Sequence, residues 1–204
     1  MRTNTTFLAL ALGVASLSAK PTYELVPGAS QTSVVLAGSF VSALASLGVT
    51  PGGLEAGNLA VSGGVATATF QIPSARIDTS NLRLQIVHTG GLSLRAGSTF
   101  VTLSDFIIEN FAAGPRLTGL VKVNENVIGR VPLFTLTLSG APEVKSYDAT
   151  ADAGTAGTIS IKARLTLTDD AAKALNGIFG VSAFAKDFVI GEATVSGTYL
   201  DGAL

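Results

Sequence analysis

Few residues of this chain are equipped for chemistry, and His88 is the only imidazole among them. It lies in the stretch Leu84-Gln85-Ile86-Val87-His88-Thr89-Gly90-Gly91-Leu92-Ser93-Leu94, with Ser93 and Asp105 nearby in sequence. A serine, a histidine and an aspartate would together point to acyl transfer, with the imidazole taking the serine proton. The pattern lacks the rest of that machinery. Ser93 sits on no strand-to-helix elbow, and no helix N-terminus follows to hold an oxyanion. A metal set is no better supplied, because one histidine and no cysteine leave few soft or borderline ligands. Asp148 and Asp152 lie in a loop-like tract without the alternating aspartates and distal glutamate of a calcium loop. Asp169 and Asp170 read as the acidic first turn of a helix. Gly52-Gly53, Gly63-Gly64 and Gly90-Gly91 read as turns, since none opens a strand-to-helix phosphate loop. Arg130 reads as a strand-edge arginine with its stem along apolar surface. The expectation is a protein that is not an enzyme and holds no metal.

The elements must then say what His88 does. Side chains alternate along a strand, which groups His88 with Leu82, Leu84 and Ile86 and puts Arg83, Gln85, Val87 and Thr89 on the other face. His88 is therefore expected on the apolar side. A buried neutral imidazole needs a partner there, from a backbone carbonyl, a carboxylate or a hydroxyl. Two roles follow: a hydrogen-bonded residue at the margin of the core, or one wall of a ligand pocket.

The wider chain reads as strands. Residues 65–72 alternate Ala66, Ala68, Phe70 and Ile72 with Thr67, Thr69 and Gln71. Residues 159–168 alternate Ile159, Ile161, Ala163, Leu165 and Leu167 with polar partners. Strands are also expected at 32–36, 82–88, 100–109, 117–123, 127–131, 133–138 and 192–200. Asn124-Glu125-Asn126 is expected to form a three-residue hairpin loop, and Pro132 to mark an edge or a bulge. Pro73 is expected to end the strand before it, Thr50-Pro51-Gly52-Gly53 to break the chain, and residues 140–157 to form a long mobile loop. Two helices interrupt the strands. One spans about 38–47 with Phe40, Leu44 and Leu47 on one face. The other follows an N-cap at Thr168 and runs to about Phe179 over Ala171, Leu175, Ile178 and Phe179. Short strands with glycine turns argue for an antiparallel β-sandwich, or a flattened barrel, with two short accessory helices.

Composition bounds the rest. The chain has 204 residues, 23 of them glycine, with 13% charged residues and a net charge of −1. Such a weak field offers nothing to draw in nucleic acid or an anionic membrane. Residues 1–19 have the layout of a secretory signal peptide: Arg2 in a short leader, an apolar run from Phe7 to Leu17 too short to span a bilayer, then Ser18 and Ala19. Residues 20–204 are expected to form a single domain outside the cytoplasm, with no membrane span once the leader is removed.

The run from His88 through Gly90, Leu92 and Leu94, followed by residues 101–109, resembles the HtaA-like domain of secreted and surface bacterial proteins. The segments 38–48 and 167–180 are similar to that family's two helices. The resemblance implies a β-rich sandwich displayed outside the cytoplasm. It also implies haem for some members, in which a tyrosine on the first helix ligates iron and the strand histidine supports it. His88 matches the supporting histidine. The tyrosine position falls near Ala43, and the chain has no tyrosine between Tyr23 and Tyr147. Phe40, Phe70, Phe100 and Phe106 are the aromatic residues available to a pocket beside His88.

The chain thus reads as a secreted, non-catalytic module of the envelope or extracellular space. Its role is structural, self-assembling through exposed strand edges, or partner-binding, with other copies or surface components as partners. The alternative is binding of haem or a small hydrophobic ligand near His88, with Phe40 and Phe106 as further wall residues.

Overall fold

The computed structural model describes residues 22–78, 83–111, 114–147 and 156–201. The leader at 1–19, Leu82, Asp148 and Asp152 lie outside the described residues. Twelve strands and two helices follow in the order β1 (Thr22–Leu36), α1 (Gly38–Ser46), β2 (Thr50–Leu54), β3 (Asn58–Ser62), β4 (Val65–Asp78), β5 (Arg83–Thr89), β6 (Gly91–Ala96) and β7 (Thr99–Phe111). Then come β8 (Gly114–Val123), β9 (Asn126–Leu138), β10 (Glu143–Tyr147), β11 (Ala156–Leu167), α2 (Asp169–Phe179) and β12 (Val189–Asp201).

All pairings are antiparallel. Eight strands close on themselves in the order β7-β5-β4-β1-β12-β11-β9-β8, with β8 returning to β7. The molecule is therefore mainly β with two helices, and of the two expected arrangements the strand pairing makes the barrel. Closure follows from alternation. The inward set Ile159, Ile161, Ala163, Leu165 and Leu167 of β11 is buried, and so are Ala66, Ala68, Phe70 and Ile72 of β4. β4 and β11 are separated in the sheet by β1 and β12, and strands of one closed sheet that each bury one face turn it to one shared interior.

α1 and α2 flank the barrel as expected, with Phe40 and Leu44 buried in the first and Ala171 and Ala172 in the second. Thr168 caps α2: its hydroxyl accepts from the Ala171 N–H at 3.1 Å and donates to the Pro132 carbonyl at 2.7 Å, tying the helix start to β9. Thr168→Ala removes both bonds. The expected loss is about 1–2 kcal/mol of stability, read from the urea unfolding midpoint at unchanged slope.

Four local expectations are corrected. Thr50-Pro51-Gly52-Gly53 does not break the chain but forms β2 against β6. Proline tolerates an extended backbone, and among the described strands β2 pairs only with β6, an edge position where proline is accommodated. Pro73 does not end its strand. β4 continues to Asp78, and the irregularity appears as a register shift against β5 between Gln71 and Ser74. The tract 140–157 is not all loop, because Glu143–Tyr147 forms β10 on β11. Finally, Gly90-Gly91 is not a hairpin turn. β5 and β6 run in the same direction along β7, as Gln85↔Glu109 and Gly91↔Ser104 require, so Gly90 is a bend in one long strand. The reversal comes at Gly97-Ser98. By contrast, the β8–β9 hairpin is present, although its loop has two residues and not three: Asn124 and Glu125 take positive φ and Asn126 already pairs with Val123. The Pro132 bulge is present as a register shift between Leu117 and Thr118.

Candidate functional site

His88 lies inside the barrel, 3% exposed, with Ile86 buried on the same face. Both ring nitrogens are engaged. Nδ1 is 3.2 Å from the carbonyl oxygen of Phe106, and Nε2 is 2.7 Å from Oγ1 of Thr32. A carbonyl only accepts, so Nδ1 carries the proton and donates it, while bare Nε2 accepts from the threonine hydroxyl. Burial is the larger influence on the ring's acidity and outweighs the Phe106 hydrogen bond, lowering the pKa from 6.5 to about 4. His88 is thus a neutral imidazole held in one tautomer.

This geometry depends on irregularities in both neighbouring strands. On one side β4 shifts register across Ile72 and Pro73, opposite His88. On the other, β7 shifts register against β8 between Ser104 and Ile107, which takes Phe106 out of the regular ladder and leaves its carbonyl for the imidazole. Asp105 within that bulge has a φ of 50°. Arg130 secures it from outside: its Nη1 donates to the Asp105 carbonyl at 2.8 Å and to Thr118 Oγ1 at 3.2 Å. The expected strand-edge arginine is therefore a clamp on the bulge that presents Phe106. Gly119 leaves space for the Phe106 ring, since a Cβ there would lie 2.9 Å from its Cδ1.

The Phe106 and Phe70 rings meet edge to face with centroids 5.2 Å apart, and Phe70 meets the His88 ring at 6.5 Å. These residues, with Phe40, Thr32, Leu59 and Pro51, line an apolar cavity of about 60 Å³. The structure therefore brings His88, Phe40 and Phe106 together. It does not add Phe100, whose ring lies 4.4 Å under the Arg95 guanidinium and outside the cavity wall. Ser93 and Asp105 make no hydrogen bond to His88, which leaves the candidate triad without geometry. Among the described residues no three His, Asp or Glu side chains cluster as a metal site.

A second concavity escaped the sequence reading. A polar groove of about 520 Å³ lies on the outer face of the barrel. It is built on one cross-strand row, Gln71–Gln31–Ser196–Ser160–Glu143, running over β4, β1, β12, β11 and β10. The alternation of β11 marks Ser160 as outward, but only the strand order reveals that the five residues adjoin.

No protein-family model matches this chain, and no curated protein matches it in sequence. Among solved structures, the chain is similar to the C-terminal domain of HtaA from Corynebacterium glutamicum, with a TM-score of 0.56 over 85% of this chain and 99% of that one, at 15% identity. It is also similar to a domain-swapped dimer of a histidine-to-alanine variant of the same domain, with a TM-score of 0.50 over 92% of this chain and 99% of that one, at 15% identity. The likeness establishes the fold, and it agrees with the resemblance carried by residues 88–109 and the two helices. No helix among the described residues is long and apolar enough to cross a membrane.

Proposed function

We propose that this chain is a non-catalytic β-barrel module of the cell envelope or extracellular space that works by associating with copies of itself or with surface components. The observation that carries the reading is the use of His88. The only imidazole donates to Phe106 and accepts from Thr32 in an apolar interior, so neither nitrogen faces a solvent-filled cleft where a proton could be exchanged with a substrate. The export-like leader and the low charge point the same way.

The groups present do not fit haem. A cavity of about 60 Å³ is far below the roughly 300–1,000 Å³ of small-molecule sites. His88 Nε2 is already hydrogen-bonded, and α1 carries no tyrosine. The second reading is narrower than the sequence suggested: the cavity beside His88, Phe40 and Phe106 takes an apolar molecule of a few heavy atoms.

The test uses the purified chain without residues 1–19. Sedimentation velocity over a wide concentration range, with co-sedimentation on envelope fragments of the producing cell, is expected to give concentration-dependent association or retention. A monodisperse monomer that binds no envelope material would sink the proposal, as would turnover in a broad ester and glycoside screen. Haemin titration is expected to give no Soret change that His88→Ala abolishes.

A further inference from the structure

We infer that β10 is a self-complementary docking edge, and that a second copy of this chain adds to it in antiparallel register about Val144. This rests on the association reading above and assigns it a surface. β10 pairs with β11 on one side, and no described strand pairs with its other side. It continues the line of β9 along β11, as the pairs Leu138↔Ala163 and Glu143↔Ser160 show, so it extends the sheet beyond the segment that β8 covers. The strand is held in place from within. The Tyr199 ring crosses Gly157, where there is no Cβ to meet it, and its hydroxyl lies 3.2 Å from Ser146 Oγ.

The edge therefore offers an ordered row of backbone donors and acceptors. Glu143 and Lys145 point to the groove face, and Val144, 36% exposed, points to the other. Alternating charges on an edge discourage pairing with foreign strands. Here they also select a partner. With a two-fold axis at Val144, Glu143 of each copy faces the partner's Lys145, and Val144 faces the partner's Val144. Moving the axis to Lys145 sets two lysines against each other. Opposite charges directly across a strand pair stabilise it and like charges oppose it, so the charges choose the register. A five-residue edge buries far less than the roughly 800 Å² per partner of a stable dimer, so the association is weak and depends on local concentration.

The chain has no cysteine, so one introduced thiol reports the contact without interference. Val144→Cys under mild oxidation is expected to form a disulfide-linked dimer about tenfold faster than Val61→Cys, although Val61 is 71% exposed and the easier target for random collision. Adding Glu143→Lys or Lys145→Glu to Val144→Cys is expected to slow linkage about tenfold, because each sets two like-charge pairs across the axis. Mixing the two charge variants restores opposite charges on both sides and returns the fast rate as a mixed dimer. Linkage of Val144→Cys no faster than of Val61→Cys would overturn the proposal, as would charge reversals without effect. Sedimentation of the unmodified chain separates the two levels. If it self-associates while the Val144→Cys result is negative, the β10 edge is wrong and the association reading stands. If it remains monomeric and binds no envelope material, both fall.

Discussion

Replacing His88 with alanine is expected to destabilise the barrel by about 4 kcal/mol, the largest effect of any single polar substitution here. The reason is threefold. The ring fills space between Phe70, Phe106 and Thr32, and its removal enlarges a cavity that already exists. The Phe106 carbonyl loses its donor. The Thr32 hydroxyl, on a residue only 2% exposed, loses its acceptor. His88→Phe keeps most of the volume but strands both polar groups, so roughly half of the loss remains. Adding Thr32→Val to His88→Phe removes one stranded group and recovers about 1 kcal/mol. Urea unfolding of the three variants checks the series, and equal stability of His88→Ala and the parent would refute the structural role. The same residue sets a pH dependence. The unfolded ring takes a proton near pH 6.5, whereas the buried ring resists it until about pH 4. Between those values the unfolded state binds more protons, so stability falls as pH drops from 6.5 toward 4, by on the order of 3 kcal/mol in all. Above this window the group contributes no pH dependence, and below it no further loss. Subtracting the profile of His88→Phe from that of the parent isolates this contribution from the carboxylates.

Gly90→Ala is expected to cost about 3 kcal/mol and to loosen β2 and β3 selectively. Gly90 has a φ of 85°, where an L-residue is strained, and a Cβ there would meet the backbone nitrogen of Gly57. Gly57 ends the β2–β3 connection, with its N–H donating to the Leu54 carbonyl at 2.8 Å. The close approach of Gly57 to Gly90 and Gly91 is what seats the β2–β3 segment against the long β5–β6 strand, and Pro51 of β2 and Leu59 of β3 cover the cavity beside His88. The variant should therefore speed amide exchange in residues 50–62 more than in β11 and β12. Uniform acceleration across the barrel would mean that Gly90 supports global stability and not the seating of the β2–β3 segment.

The candidate site was legible in outline. Parity along 84–88 places His88 on the interior face because side chains on a strand alternate whatever the strand pairs with. The N-cap at Thr168 and the chain reversal after Val123 were legible for the same local reason, though not the two-residue length of that turn. Pro73, Pro51 and Gly90 were misleading. Each residue type favours an interruption by itself, and each is absorbed here by its surroundings: a register shift on β5, the edge position of β2 among the described strands, and a second backbone with no Cβ at Gly57. β10 was hidden because Glu143-Val144-Lys145-Ser146 has polar composition, and its strand identity comes from β11 and Tyr199.

By itself the sequence determined a β-rich chain with two short helices, few charges, no cysteine and one inward-facing histidine. These are properties of local periodicity and residue type. Only the tertiary structure decided that the strands close into a barrel, that Phe106 and Thr32 take the two nitrogens of His88, and that Glu143 and Lys145 stand on a strand with no described strand beyond it. Thr32 lies 56 residues from His88 along the chain and beside it in space. Hydrogen-bond partners and free edges are fixed by which strands pair, and that pairing is set by burial of the whole interior at once, which no local window of sequence contains.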